Sequence, residues 1–227
     1  MFRPIYRNRS DAGRALAARL VDYAGRDDLV VLGLPRGGLP VAYEVAMALH
    51  APLDVFAVRK LGVPGHEELA MGAIASGGVR VLNEDVVSML NISPETIERV
   101  AEAEARELAR RERAYRGDLP PLDIAGHHVI LIDDGLATGA TMRAAVKAAR
   151  QMGPTGITVA VPAASQEACA ALEAEADRVV CAATPEPFLA IGVWYVDFDQ
   201  LTDADVQRIL ASAEEGLASR STDGKRT

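Results

Sequence analysis

The sequence VILIDDGLATGAT occupies residues 129–141 of this 227-residue chain. Four apolar residues in a row are typical of a strand buried on both faces, and Asp133 and Asp134 follow at its end. The next turn consists of small residues, whose backbone N–H groups can approach a ligand closely, and a helix is expected behind it. Because ligands of open α/β sheets bind at the carboxyl ends of the strands, this stretch predicts a phosphate-binding loop beside two carboxylates. Such carboxylates can hold sugar hydroxyls, or Mg²⁺ through water, so a phosphorylated sugar is the expected ligand.

Predicted strands and helices alternate along the rest of the chain. Short apolar runs predict further strands at 29–34, 53–58, 157–161 and 178–182, and helices are expected at 39–49, 140–152, 166–174 and 203–217. This alternation requires crossover connections and therefore predicts an α/β fold with a mostly parallel, five-stranded, Rossmann-like sheet. Ser10 is a candidate cap for a first helix.

Two segments interrupt the alternation. An insertion at about 60–118 combines a hairpin around Ser76-Gly77-Gly78 with a charged helix that opens at Ser93-Pro94. A second segment, at about 184–200, holds four of the chain's aromatic residues and is expected to form a hood over the sheet edge. We predict a single domain over residues 1–218 and a flexible tail over 219–227.

Composition narrows the functional class. The chain has 24 Lys and Arg against 32 Asp and Glu, a net charge of −8, which disfavours a nucleic-acid partner. Its apolar runs are too short to span a bilayer, and its first residues lack the apolar region of a secretory signal, so we expect a cytoplasmic protein. Cys169 and Cys181 allow one bridge, but reduced thiols are the expectation in that compartment.

The string at 129–141 resembles the phosphoribosyl-pyrophosphate (PRPP) motif of type I phosphoribosyltransferases. The resemblance implies that Asp133 and Asp134 hold the ribose hydroxyls and act in catalysis, with Mg²⁺ bound beside them. It also implies that Gly135 belongs to the PRPP site and that the loop binds the 5′-phosphate through Ala137, Thr138, Gly139, Ala140 and Thr141. The order of strands and helices fits the same family across nearly the whole chain, and the chain is most similar to a poorly characterised bacterial branch of it.

The turn after the first buried strand, Leu34-Pro35-Arg36-Gly37-Gly38, supports the resemblance. Arg36 offers a cationic fork for phosphate oxygens, and the two glycines free backbone N–H groups. The turn is similar to the family's pyrophosphate loop, which assigns Arg36, Gly37 and Gly38 to PRPP. By itself it could equally be a plain strand-to-helix turn.

Arg59 and Lys60 follow the second predicted strand, and a Gly/Pro-rich stretch with His66 comes next. Adjacent cations suit a diphosphate, and the stretch could close as a flap that excludes water. It is similar to the flexible loop of orotate phosphoribosyltransferases, which implies catalytic roles for Arg59, Lys60 and His66. A solvated loop histidine is the alternative for His66.

The predicted hood contains PFLAIGVWYVDF at residues 187–198. Aromatic faces beside a phosphosugar site suit stacking on a flat heterocycle, so Phe188, Trp194 and Tyr195 are candidates to contact a base. The segment resembles the base-binding segment of hypoxanthine–guanine phosphoribosyltransferases, which implies that Phe188 stacks on the base and that Asp197 lies near the metal. The alternative is an edge segment that packs its aromatic residues in a core. Ala137 stands where that branch has Asp, and no purine-reading Lys is found near Val161-Pro162, so the acceptor base stays open.

Together these features predict transfer of 5-phosphoribosyl from PRPP to a nitrogen heterocycle, with Mg²⁺-dependent release of pyrophosphate. The expected partners are PRPP and a small heterocyclic acceptor, without nucleic acid or membrane, and the relatives' pairing implies a homodimer. Two alternatives remain open. One is a PRPP-binding regulator that has lost the chemistry, and the other is an α/β enzyme that hydrolyses phosphate with Mg²⁺ held by the paired acids.

Overall fold

The computed structural model describes residues 3–117 and 122–223 and contains two sheets. The strands are β1 (Leu29–Gly33), β2 (Leu53–Val55), β3 (Val58–Val63), β4 (His66–Ala75), β5 (Val79–Leu82), β6 (His128–Ile132), β7 (Gly156–Ala163) and β8 (Arg178–Ala183). The helices are α1 (Arg9–Ala17), α2 (Gly38–Leu49), α3 (Glu84–Met89), α4 (Pro94–Arg116), α5 (Ala140–Gln151), α6 (Gln166–Glu173) and α7 (Asp203–Asp223). None of these helices is long and apolar enough to cross a bilayer.

The main sheet has five strands in the order β2-β1-β6-β7-β8, and every neighbouring pair is parallel. This confirms the predicted α/β class and the five-stranded parallel sheet. Alternate residues of the central strands face opposite cores. Leu131 packs with residues of α5 and α6 on one face, while Ile130 and Ile132 pack with α1 and α2 on the other. β6 is therefore buried on both faces, and its carboxyl end lies in the middle of the sheet edge.

The insertion between β2 and β6 forms its own small layer. β3, β4 and β5 make an antiparallel sheet that packs against α4 through a core containing Leu61, Met71, Ile97 and Leu108. Ser93 caps α4 by accepting from the backbone N–H of Thr96, with Pro94 in the first turn, as predicted. The predicted strand at 53–58 is divided, because β2 ends at Val55 and β3 joins the antiparallel sheet. The proposed limits of the insertion and of the domain stay predictions.

Three other local expectations are corrected. Asn8, not Ser10, caps α1 by accepting from the backbone N–H of Asp11. Helix α7 continues to Asp223, past its expected end at residue 217. Residues 224–227 lie outside the described part, and the flexible tail stays a prediction. Cys169 on α6 and Cys181 on β8 form a disulfide, so the expectation of reduced thiols is wrong.

The hood has little regular structure and is held by the chain's N-terminal segment. The backbone N–H groups of Ile5 and Tyr6 donate to the carbonyl of Trp194, and Val196 donates back to Tyr6. The Tyr6 hydroxyl donates to the carbonyl of Pro162 at 2.8 Å, next to the end of β7. These contacts bring the hood and residues 5–9 to the sheet edge where β6 ends.

Candidate active site

Asp133 and Asp134 follow β6 directly, so the strand places both carboxyl groups at the centre of the sheet edge. The backbone N–H of Asp134 donates to Oδ1 of Asp133 at 2.9 Å. Asp134 is buried, with 7% of its surface exposed, whereas Asp133 is half-buried. The Tyr195 hydroxyl donates to the backbone carbonyl of Asp134 at 2.6 Å, which ties the hood to this strand end.

The turn that contains Arg36 lies against these acids. The backbone N–H of Leu34 donates to the carbonyl of Ile132 at 2.8 Å, and the Pro35–Arg36 peptide bond is cis. A Cβ at Gly37 would stand 2.0 Å from Oδ2 of Asp134, so a residue with a side chain cannot occupy this position unless the carboxylate moves. A Cβ at Gly38 would stand 2.5 Å from the carbonyl oxygen of Ile132. Both glycines are therefore required for the turn to approach β6.

The loop between β6 and α5 is anchored near its start, at Leu136 and Ala137. Buried Leu136 donates its backbone N–H to the carbonyl of Ala163, and the Ser165 hydroxyl donates to the carbonyl of Ala137 at 2.8 Å. Gly139 adopts a φ of +71° immediately before α5, a conformation that glycine supplies without strain. Ala137 and Thr138 of this loop are exposed, and so are Ala140 and Thr141 in the first turn of α5. An exposed loop at a helix N-terminus can bind a phosphate through its backbone N–H groups.

Burial of the two acids controls their charge. Desolvation, and then the neighbouring Asp134 carboxylate, raise the pKa of Asp133 well above its usual range. Desolvation also raises the pKa of Asp134, although the hydrogen bond and the charge of Arg9 oppose the shift. Burial and the same carboxylate raise the pKa of Tyr195, so its hydroxyl stays protonated and can donate. A cation or a set of hydroxyl donors at this point would stabilise the ionised acids.

Arg9 is a site residue that the sequence reasoning missed. Its Nε lies 2.8 Å from Oδ2 of Asp134, its Nη1 donates to the carbonyl of Asp199 at 2.9 Å, and its guanidinium stands 3.8 Å from the ring centre of Phe198. A cavity of about 400 Å³ opens beside Arg9, between the turn at Arg36, the end of β6 and the hood. Its lining residues are Arg9, Arg36, Gly37, Asp134, Ile191, Phe198, Asp199, Gln200 and Leu201. Arg9 lies 125 residues from Asp134 in the chain, so no local motif could have signalled the pair.

The hood residues predicted to contact the base occupy different environments. Trp194 and Tyr195 are buried, at 4% exposure each, in a cluster with Tyr6. Phe188 packs 6.0 Å from the Trp194 ring and borders a separate cavity, near Ser165. Asp197 is exposed and donates its backbone N–H to the carbonyl of Arg7. The assignments of Phe188, Trp194 and Tyr195 to a base and of Asp197 to a metal stay predictions, and Phe198 is the aromatic residue that borders the cavity beside Asp134.

Arg59, Lys60 and His66 lie on the antiparallel sheet. Arg59 donates to Glu104 of α4, and the Lys60 ammonium lies 3.2 Å from Oε2 of Glu68. Both cations line a cavity of about 630 Å³ between this sheet and α4, and His66 is exposed at the start of β4. The structure therefore does not place them in the cavity beside Asp134, and their catalytic roles stay predictions.

A divalent cation has suitable ligands at the end of β6. Asp133 and Asp134 offer adjacent carboxylate oxygens, the type of donor that Mg²⁺ prefers, and Mg²⁺ usually completes its shell with water and substrate phosphates. No group of three or more His, Cys, Asp or Glu side chains suited to a metal is found in the described ranges 3–117 and 122–223. The two acids therefore fit a metal that is shared with a phosphorylated substrate, and do not form an all-protein cage.

Residues 5–191 match the Phosphoribosyl transferase domain. The matched range covers most of the chain and leaves out only the end of the hood and α7 among the elements described above. The chain belongs to the phosphoribosyltransferase family. The matched range includes the turn at Arg36 and the loop after Asp134, which the sequence reasoning assigned to PRPP.

Two proteins of Mycobacterium tuberculosis, each named "Putative phosphoribosyl transferase", are 45% identical over 214 residues, covering 94% of this chain and 48% of theirs. The chain thus spans about half the length of these curated relatives. The crystal structure of TT1426 from Thermus thermophilus is 43% identical, with a TM-score of 0.81, and covers 91% of this chain and 98% of that one. A hypothetical protein from Neisseria gonorrhoeae, solved with bound ppGpp, is 16% identical, with a TM-score of 0.51 over 93% of this chain and 98% of that one, and has a similar fold.

Proposed function

We propose that this protein transfers a 5-phosphoribosyl group from PRPP to a ring nitrogen of a heterocycle and releases pyrophosphate in a Mg²⁺-dependent reaction. The observation that carries the proposal is the convergence of three features at one sheet edge. Asp133 and Asp134 directly follow the central strand, the turn at Gly37 lies against Asp134, and residues 137–141 form the exposed end of the next loop and the start of α5. Carboxylates between two anion-binding loops suit a sugar that carries a phosphate at one end and a diphosphate at the other.

Each part of PRPP has a counterpart among these residues. Residues 137–141 would receive the 5′-phosphate, Asp133 and Asp134 would accept from the ribose hydroxyls, and Arg36 with the backbone of Gly37 and Gly38 would face the diphosphate. Arg36 is available for this because its ion pair with Asp203 is long, at 3.6 Å, and over a third of its side chain is exposed. Arg59 and Lys60 line a different cavity and pair with Glu104 and Glu68, so each would have to leave its partner to join the diphosphate.

The reaction breaks the bond between C1 of the ribose and the diphosphate oxygen, and the electron pair leaves with pyrophosphate. The lone pair of the acceptor nitrogen forms the new bond to C1, and any proton on that nitrogen passes to solvent. Positive charge develops on the sugar ring as the diphosphate departs, and the Asp133 and Asp134 carboxylates can stabilise it electrostatically. Bound Mg²⁺ would neutralise charge on the leaving diphosphate. The cytoplasmic location and the homodimer predicted from the sequence are part of this proposal.

The test is pyrophosphate release from PRPP and Mg²⁺ with a panel of purines, pyrimidines and other nitrogen heterocycles. The acid pair is removed with Asp133→Asn plus Asp134→Asn. The matched control is Glu214→Gln plus Glu215→Gln, because these two adjacent acids are exposed on α7. We expect release with at least one acceptor, loss of release in the aspartate variant, and normal rates in the control. Turnover that survives in the aspartate variant would overturn the proposal. Tight PRPP binding without turnover would instead favour a PRPP-binding regulator.

A further inference from the structure

The guanidinium of Arg9 is fixed in place at the wall of the 400 Å³ cavity. Nε is held by Asp134, Nη1 by the carbonyl of Asp199, and the plane of the group by the ring of Phe198. Only 11% of the side chain is exposed, so the cation has lost most of its water. An arginine oriented by three independent contacts keeps little conformational freedom, and it therefore loses little entropy when it binds an anion.

Arg9 retains capacity for a ligand. Arginine carries five N–H donors, and the hydrogen bonds found for Arg9 within the described part of the chain use one on Nε and one on Nη1. The ion pair with Asp134 balances the charge of Arg9, but its remaining N–H donors border the cavity and can form charge-assisted hydrogen bonds to an anionic oxygen there.

The rest of the cavity suits a flat ring. Ile191, Phe198 and Leu201 give it apolar walls, and its volume falls within the usual range for small-ligand pockets. It also borders Asp134, the acid that holds the ribose under the proposed function. A ring in this cavity would thus lie next to the sugar, with Arg9 at its edge.

We propose that Arg9 is a specificity-determining residue, and that it selects ring acceptors that carry an acidic oxygen substituent. This inference rests on the proposed transferase function. Arg36 is assigned to the diphosphate because its side chain is more exposed and its partner Asp203 is farther away. Arg9 is assigned to the acceptor because it stands with Phe198 and the apolar walls.

The experiment compares matched acceptors that differ only in the acidic group: pyridine-3-carboxylate with pyridine-3-carboxamide, and uracil-6-carboxylate with uracil. The readout is the ratio of kcat/KM for acid to neutral acceptor in each pair. Because Arg9 also contacts Asp134, its loss will weaken PRPP binding, but this effect is common to both acceptors and cancels in the ratio. We expect the native protein to prefer an acid by about tenfold to a hundredfold, the range for a hydrogen bond to a charged group.

The variants are Arg9→Gln, Arg9→Lys and, as the control on the same helix, Arg14→Gln, whose exposed side chain pairs with Glu44. Arg9→Gln should abolish the acid preference, Arg9→Lys should retain part of it, and Arg14→Gln should leave it unchanged. If Arg9→Gln does not fold, Arg9→Lys provides the test, because its ratio of kcat/KM for acid to neutral acceptor should fall below that of the native protein. Turnover of neutral rings with no acid preference in the native protein would overturn the inference and leave the transferase intact. So would an unchanged ratio in Arg9→Gln with only the KM for PRPP raised, which would limit the role of Arg9 to its contact with Asp134.

If no acceptor turns over, the proposed function fails and the inference is decided by binding. Calorimetry with each acid and its neutral partner, in the presence of PRPP and Mg²⁺, then gives the same ratio as dissociation constants. An acid preference that Arg9→Gln removes supports the inference, and binding without acid preference, or no binding at all, overturns it.

Discussion

The hydroxyl of Tyr195 lies 2.6 Å from the backbone carbonyl of Asp134 and donates to it. The hood therefore contacts the acid pair through the backbone of Asp134. The Tyr195 side chain that makes this contact is buried, at 4% exposure. The hydroxyl thus has a partner inside the protein, and we expect Tyr195 to position the strand end through it.

Removal of that hydroxyl should weaken PRPP binding as well as the fold. Tyr195→Phe leaves a buried carbonyl without this donor, at a cost of about 1–3 kcal/mol. The matched control is Tyr6→Phe, because the Tyr6 hydroxyl also donates to a buried carbonyl, that of Pro162 at 2.8 Å. Both variants should lower the melting temperature, but only Tyr195→Phe should raise the Kd of PRPP in calorimetry. Equal PRPP affinity in the two variants would contradict a positioning role.

Position 37 should tolerate no side chain, because Gly37 lies directly against Asp134. A Cβ at this position would stand 2.0 Å from the carboxylate oxygen, so Gly37→Ala must displace either the turn or the acid. We expect the Kd of PRPP to rise by about tenfold or more, which corresponds to about 1.4 kcal/mol. Gly216→Ala is the control: this glycine lies within α7, and its added Cβ would meet only the flexible side chain of Met47. Unchanged PRPP affinity in Gly37→Ala would show that the turn is not part of the binding site.

The elements around the acids were predictable because each has a local cause. Four consecutive apolar residues before Asp133 require a strand covered on both faces, and β6 is that strand. Ser93 and Pro94 open α4 as their capping preferences dictate. The small residues after Asp134 indicated an open loop for the same reason, since only short side chains leave the backbone accessible.

The other contacts of the site join residues that are far apart in the sequence, so no local sequence pattern could predict them. Arg9 reaches Asp134 because the N-terminal segment pairs with the hood at Trp194, far along the chain. The second predicted strand is divided where the chain leaves the main sheet, and there the Ser76 hydroxyl, 19 residues away in the sequence, accepts from the backbone N–H of Ala57. Arg59 and Lys60 follow a strand as predicted, but they belong to the inserted sheet and pair with Glu104 and Glu68.

The ion pair between Arg59 and Glu104 gives a test of whether Arg59 can serve the diphosphate. If Arg59 must leave α4 to reach a ligand, Glu104→Gln should release it and tighten pyrophosphate binding. Partly exposed pairs contribute about 0.2–1 kcal/mol, so the Kd should fall by less than about fivefold. Glu98→Gln on the same helix removes the partner of Arg80 and should leave the Kd unchanged. Identical affinities in both variants would leave Arg59 without a role at the diphosphate.

The disulfide between Cys169 and Cys181 joins α6 to β8 and closes a loop with a sequence separation of 12 residues. Loop-closure entropy predicts that such a bridge stabilises the fold by about 3 kcal/mol. At about 2–4 °C for each kcal/mol in a domain of this size, dithiothreitol should lower the melting temperature by roughly 6–12 °C. Because Ser165, the cap of α6, also donates to Ala137, a loosened helix should weaken PRPP binding too. The double variant Cys169→Ser with Cys181→Ser should melt at the lower temperature with or without reductant. If thiol titration of the unfolded, unreduced protein finds two free thiols, and reductant leaves the melting temperature unchanged, then the bridge does not form in solution.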